Sequence, residues 1–307
     1  MRTRKLLHTI LSLALSAVCV ASYNAYNYDM TTPLFTPDGR LLQVEYASLA
    51  AERSPPLVAL SVKDREEGHV IILAAFRSRR QAAGRQKRII SLPNCPRVAL
   101  AMSGVLSDAL DLVREVRQHA DSWQRTYGVL EIAMDDVAGI ATVIGDACQS
   151  HAFGGGLRPY GASFIVCGVH NDGVGMSFCK TDPSGAVVQL RLSGNEGVDS
   201  YHKPCIIVLG NDGIQKEKIR SKINDILGST DDATMRDGVE AILEAMIASE
   251  DLSHEGSKSH STKEEPPEDI QSKYEAPEIV IVSRRGVHEV DEETLSELER
   301  RIMERSS

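Results

Sequence analysis

Apolar residues recur along this chain with two periods, and the changes of period mark the elements. Residues 57–62 and 69–75 are short, nearly continuous apolar runs around the polar stretch 63–68, which predicts two β-strands and a turn. Residues 97–102 predict a further strand ending at Ser103-Gly104. From about Ser107 the spacing changes to three and four. In the helix this predicts, Leu110, Val113 and Ala120 point inward and Asp108, Arg114, Glu115 and Arg117 mostly outward. A second helix is expected over 134–148, with Val137, Ile140 and Ile144 in register.

The second half repeats that order. Strands are expected at 162–169, 174–179, 187–192 and 205–209, followed by helices at 214–227 and 235–249. The apolar sets of these helices are Ile219, Ile223 and Ile226, then Val239, Ile242, Leu243 and Met246. A strand at 278–282 precedes a last helix that Asp291 caps, with Leu295, Leu298 and Ile302 on one side. Antiparallel strands alternating with paired helices predict an α+β fold. Two antiparallel sheets packed face to face, each flanked by helices, would form a four-layer αββα sandwich.

Near the N-terminus, residues 37–53 predict a helix in which Thr36 is the cap and Pro37 occupies the first turn. Leu42, Tyr46 and Leu49 are four and three apart and share a face, with Arg40, Gln43 and Glu45 mainly off it. On pattern alone this is a helix docked on its own domain.

Composition narrows the class. A length of 307 residues with 42% hydrophobic content supplies ample core, and 5% aromatics leaves the packing to aliphatic residues. A net charge of −9 argues against a nucleic-acid surface. Cys19, Cys95, Cys148, Cys167, Cys179 and Cys205 are scattered without a CxxC pair, so neither zinc nor a disulfide scaffold is indicated. Cys167, inside an apolar run, reads as an inert small hydrophobe.

Two segments stand apart from the globular pattern. Residues 1–21 carry Arg2, Arg4 and Lys5 ahead of an apolar run, the form of a secretory signal that Ala21 would end. The alternatives are an uncleaved extension or a misassigned start. No membrane span is expected in the mature form. Residues 253–274 hold too little apolar surface to offset their ordering entropy, and predict a disordered acidic insertion. His254 and His260 there read as solvated loop residues.

Residues 28–51 carry Tyr28-Asp29, then Phe35-Thr36-Pro37-Asp38-Gly39-Arg40, then Gln43-Val44-Glu45-Tyr46-Ala47. This closely resembles the N-terminal signature of proteasome alpha-type subunits. Ala101-Met102-Ser103-Gly104, Gly155-Gly156-Leu157-Arg158-Pro159-Tyr160-Gly161 and Thr181-Asp182-Pro183-Ser184-Gly185 resemble later parts of the same family. The last of these is rich in turn formers. The resemblance runs from about Tyr28 to the C-terminus, making residues 22–307 one alpha-type domain with a tail at 22–36.

The resemblance implies an Ntn-hydrolase-like αββα fold and a structural role. Alpha-type subunits form a seven-membered ring stacked on a beta ring, their tails close an axial pore, and outer pockets receive activator tails. Their partners are other alpha and beta subunits and the activator or regulatory particle, acting in ubiquitin-dependent degradation in cytoplasm and nucleus. A functional signal at 1–21 would instead imply the secretory route or a complex plastid.

Carried over by residue, Tyr28, Asp29, Pro37 and Tyr46 match the gate cluster, and Leu42, Tyr46 and Leu49 form a ring-contact helix. Lys87 or Arg88 falls at the activator pocket. Met30 departs from the family's usual arginine, and apparent insertions at 93–96 and 193–203 mark divergence.

The same resemblance implies no catalysis and no cofactor. Beta-type members use an N-terminal threonine whose α-amine is the base, with a nearby lysine. That position falls near Ser54-Pro55-Pro56, and proline has no primary amine. Near the lysine position stands Phe76-Arg77-Ser78-Arg79, where arginine stays charged. Gly154-Gly155-Gly156 lacks the Gly-Lys-Ser/Thr of a phosphate loop, and adjacent Asp135 and Asp136 diverge on a helix. Two other readings remain: an active threonine hydrolase, and an alpha-like binding module outside the ring.

Overall fold

Each central strand of this chain has two faces to hide, and the architecture hides both. The computed structural model describes residues 33–78, 87–93, 95–128, 137–154, 157–170, 175–192, 205–210, 213–228, 234–255 and 274–306. In chain order the first half runs α1 (Leu42–Glu52), β1 (Leu57–Asp64), β2 (Gly68–Ser78), β3 (Ile89–Leu92), β4 (Cys95–Gly104), α2 (Leu106–Tyr127) and α3 (Val137–Phe153). There follow β5 (Ala162–Val169), β6 (Met176–Thr181), β7 (Val187–Leu192), β8 (Ile206–Leu209), α4 (Gly213–Leu227) and α5 (Met235–Glu255). The chain closes with β9 (Tyr274–Ser283), β10 (Gly286–Glu289) and α6 (Glu292–Ser306).

The first sheet has the order β10-β9-β2-β1-β8 and the second β3-β4-β5-β6-β7, five strands each. The strand pairings in both are antiparallel. Alternation along β1 separates the layers: Val58, Leu60 and Val62 face α4, α5 and α6, while Leu57 and Ala59 face the other sheet. On the second sheet Leu100, Met102, Phe164 and Val166 pack under α2 and α3. Ala99, Ala101, Ile165 and Cys167 meet the first sheet. Three apolar clusters thus separate four layers, the αββα sandwich. Leu295, Leu298 and Ile302 of α6 are buried together, as their spacing predicts.

Several boundaries and faces differ from the sequence reading, each for a local reason. Thr36-Pro37-Asp38-Gly39 forms a reverse turn, not the first turn of a helix. Gly39 N–H donates to the Thr36 carbonyl (2.8 Å), and Arg40 N–H donates to Thr36 Oγ1 (3.0 Å). Gly39 has φ +78°, a left-handed backbone that no helix continues through, so α1 begins at Leu42 without a side-chain cap. Two short edge strands, β3 and β10, lacked any periodic signal. Helix α3 extends to Phe153, and α5 to Glu255, into the segment expected to be disordered. Continuing a formed helix costs far less than starting one. Residues 256–273 of that segment lie outside the described residues.

On α2 two side chains are the reverse of expectation: Leu110 is 39% exposed and Asp108 only 4%. Asp108 falls on the inward stripe with Leu112 and Val116, and burial is tolerable because its oxygens are saturated. Arg158 donates to both of them (2.6 and 2.7 Å), and Gly161 N–H adds a third bond at 2.9 Å. This fork ties the 157–161 segment to the start of α2. Beside it, Tyr160 donates to Asp111 Oδ2 (2.8 Å) and stacks on His151 with centroids 4.1 Å apart.

The Arg158 bonds hold the Asp108 carboxyl below the usual carboxylate range, with help from Gly161 N–H and against the effect of burial. A carboxyl lowered on folding adds stability above its unfolded value, near pH 4, and loses it as pH falls through the folded value. Asp108→Asn is therefore expected to cost about 2–3 kcal/mol at neutral pH. In urea unfolding followed by circular dichroism, that gap should shrink only as the pH drops below about 4. A gap that persists undiminished at lower pH would rule out the charged pair as its source.

Candidate functional site

Helix α1 lies across one end of the second sheet on a bed of small residues. Val44, Ala47 and Ala51 are its buried side, packed on β4 and β5. Ser103 Oγ donates to the Ala51 carbonyl at 3.0 Å. Gly104 has φ +104°, and a Cβ there would stand 2.2 Å from the Gly161 carbonyl oxygen and 3.0 Å from Ala51 Cα. Glycine at this position is what lets the helix seat directly on the backbone.

The opposite side of α1 carries the larger residues. Tyr46 and Leu49 are each 48% exposed, and Leu42 is partly buried. Leu34 and Phe35, in the segment leading into the turn, are exposed as well. The predicted stripe is therefore real as a face, but it points away from the domain. An exposed ion pair between Arg40 and Glu45 holds the turn to the first turn of the helix, Arg40 Nε donating to Glu45 Oε1 at 3.0 Å.

Where α1 runs into β1, Arg88 fills the space behind the linker. Its guanidinium donates to Ser54 Oγ (2.7 Å) and to the carbonyls of Pro55 (3.0 Å), Phe76 (3.1 Å) and Met102 (3.0 Å). Its backbone N–H donates to Glu278 Oε2 at 2.9 Å. Arg88 is 8% exposed and joins the α1–β1 linker, β2, β4 and β9 at one point. No sequence periodicity pointed to it, because a lone arginine ahead of an unpredicted edge strand reads as surface.

Its neighbour Lys87 points elsewhere, into an ion pair with Glu289 of β10. That pair borders a cleft of about 510 Å³ between the free edges of β3 and β10, overhung by Leu110 and Arg117 of α2. The two alternatives for the pocket position thus point apart, Arg88 inward beside α1 and Lys87 outward beside β10.

The arrangement is poor in acid–base chemistry. Ser54 is buried, and the side chain it meets is a guanidinium that cannot accept its proton. Cys148 and Cys167 are buried and their thiols are pushed up, mainly by burial, that of Cys148 to about 12. Among the described residues no three His, Cys, Asp or Glu converge as metal donors would. No described helix is long and apolar enough to cross a membrane. Tyr28, Asp29 and Met30, the 1–21 segment, Asp135 and Asp136, and Gly155 and Gly156 lie outside the described residues.

Comparison with known proteins agrees with this geometry. Residues 28–48, which end within α1, match the N-terminal signature of A-type proteasome subunits, and residues 64–195 match the general proteasome family. The proteasome alpha 2 subunit of Haloferax volcanii is 30% identical over 275 residues, covering 88% of this chain and 90% of that protein. The proteasome alpha subunit of Methanocaldococcus jannaschii is 29% identical over 233 residues, 74% of this chain and 77% of the relative. That of Methanopyrus kandleri is 26% identical over 289 residues, 90% and 93% respectively. Similarity sustained over both sheets, with the signature falling on the turn and helix that crown them, shows that this chain belongs to the proteasome alpha-subunit family.

Proposed function

We propose that the chain is a non-catalytic member of the alpha ring of a proteasome core particle, serving ring assembly, pore gating and activator docking. The observation that carries this reading is α1 itself, whose small residues dock inward while Tyr46 and Leu49 stay exposed. A helix that turns its large residues outward is built for a neighbour. In the family resemblance that neighbour is the next member of the ring.

Lack of catalysis rests on the junction at Ser54. Within this chain Ser54 is flanked by Arg53 and Pro55, and its hydroxyl is held by Arg88 rather than by a base. An Ntn nucleophile needs a free α-amine beside the hydroxyl.

For gating, Tyr28 and Asp29 would act with Pro37 and Tyr46; Pro37 sits in the Thr36–Gly39 reverse turn just ahead of α1, which sets the direction of the chain leading to Tyr28 and Asp29. For docking, Lys87 is the accessible one of the two cations, being 56% exposed, and a tail carboxylate would compete with Glu289 for its ammonium. Arg88 is buried in bonds to Ser54 and three carbonyls and would act only by fixing the seat of α1. Degradation of ubiquitin-marked substrates and residence in cytoplasm and nucleus belong to the same reading. A cleaved 1–21 segment would redirect the chain to the secretory route.

Two measurements test this. Leu42→Ala with Leu49→Ala should leave the thermal midpoint of the free protein nearly unchanged, because Leu49 is exposed and Leu42 partly so. Ring assembly on a native gel should nevertheless be impaired, each leucine withdrawing about 1.5–3 kcal/mol of burial from the contact. Unchanged incorporation would sink the ring-contact role. In particles reconstituted with beta-type subunits, a hydroxyl-directed covalent probe should label the beta chains and spare this one. A modified Ser54 would revive the hydrolase reading.

A further inference from the structure

Three hydroxyls in this chain stand immediately before a proline, at Thr32-Pro33, Thr36-Pro37 and Ser54-Pro55. A hydroxyl followed by proline is the acceptor pattern of proline-directed protein kinases, because the fixed φ and missing N–H of proline set it apart from every other residue. Thr32 lies outside the described residues. The surroundings of the other two are opposite.

Ser54 is buried, and Arg88 donates to its oxygen at 2.7 Å. Its hydroxyl becomes accessible only if the arginine that joins four segments is pulled out. Thr36 stands at the surface. Residues 34–36 belong to no helix or strand, and none of residues 33–40 is buried. Kinases bind their acceptors as extended chain, and this approach has no sheet or helix partners to leave. Three bonds hold Thr36, all within its own turn. Its N–H donates to the Arg40 carbonyl at 2.9 Å, Gly39 N–H donates to its carbonyl at 2.8 Å, and Arg40 N–H donates to Oγ1 at 3.0 Å. Opening them uncovers no buried side chain, which is the condition for easy local opening. Oγ1 accepts one bond and donates none among the described residues.

A cation for the product is already beside Oγ1. Arg40 reaches that oxygen through its backbone N–H, and its guanidinium is held by Glu45 in a pair whose side chains are 61% and 37% exposed. Exposed pairs of this kind are weak. A phosphothreonine carries about −1.5 to −2 charges at neutral pH and three acceptor oxygens, so it outcompetes a single carboxylate for a guanidinium.

We infer that Thr36 is a phosphorylation site, and that its phosphate draws Arg40 away from Glu45. In the step, Oγ1 attacks the γ-phosphorus of a nucleoside triphosphate held by a proline-directed protein kinase. The Oγ1–P bond forms, the bond from phosphorus to the β,γ-bridging oxygen breaks, the nucleoside diphosphate departs, and the hydroxyl proton passes to the base of the kinase. The ester oxygen that remains is a poorer acceptor for Arg40 N–H, and Glu45 loses its partner. The modification therefore unfastens the turn from the first turn of α1. This inference is independent of the ring reading, since Thr36, Arg40 and Glu45 belong to one chain.

The test uses the full chain, a proline-directed kinase and a labelled nucleoside triphosphate. Tandem mass spectrometry should place the phosphate on Thr36, and Pro37→Ala should lose most of the label. No incorporation, incorporation on Thr32 or Ser54 with Thr36 unmodified, or a Pro37→Ala chain labelled as fully as the unsubstituted one would each overturn the inference. Phosphopeptides enriched from cells that make the protein should include the turn with Thr36 modified, and recovery of that peptide in its unmodified form alone counts against the site. Phosphorus NMR then reads the Arg40 contact. A neighbouring guanidinium favours the dianion, so the phosphate should titrate at lower pH in the unsubstituted chain than in Arg40→Gln. Identical titration in the two would overturn the exchange of partners.

Discussion

Two-sided burial of the strands is the constraint from which the remaining structure follows. Leu57 to Leu60 and Val70 to Ala75 are fully buried residue after residue, so both faces of β1 and β2 must be covered. One face finds the other sheet and the second finds helices, which makes four layers the smallest solution for two such sheets. Once both faces are spent on the interior, the domain has only its strand ends, its sheet edges and the outer faces of its helices left for contacts with other molecules. Helix α1, the Arg88 tie and the β3 cleft all lie in those remaining places.

Helix α1 inverts the usual division of labour in an amphipathic helix. Its docked face is valine and alanine, whose burial contributes little compared with leucine or tyrosine. Its seating relies on close approach, with Gly104 admitting the backbone at Ala51 and the Ser103 hydroxyl fixing the Ala51 carbonyl. The large residues that ordinarily hold a helix to its own domain face outward. Such a helix is positioned accurately but buries little apolar surface of its own, and Tyr46 and Leu49 stay half-exposed.

The layers were legible in the sequence because they depend on apolar runs long enough to show a period, and the family was legible because residues 28–51 match by identity rather than by pattern. What escaped was local. Thr36 and Pro37 looked like a helix start, since capping and turn chemistry use the same residues; the left-handed Gly39 decides between them, and it is visible only in the backbone. The charge of Asp108 argues for an outward position, although its spacing with Leu112 and Val116 puts it inward. The partner that makes burial possible, Arg158, is fifty residues away along the chain. Leu110 reads as inward because it is apolar, and the cleft it overhangs is formed by β3 and β10, four-residue strands too short to carry a period.

Arg88 shows how a fold shared with hydrolases can be held as a scaffold. In the catalytic members that the family resembles, the start of the first strand must end in a free amine, with mobile room for a substrate around the hydroxyl. Here the chain continues through Ser54 and Pro55 into α1, and the guanidinium bonds both of them together with the carbonyls of β2 and β4. Cutting before Ser54 would sever α1, the element that carries the exposed Tyr46 and Leu49. A group that must stay rigid to aim α1 cannot also open to admit a substrate. The same arginine therefore fills the space behind Ser54 and fixes the seat of α1, and the two roles are a single packing arrangement.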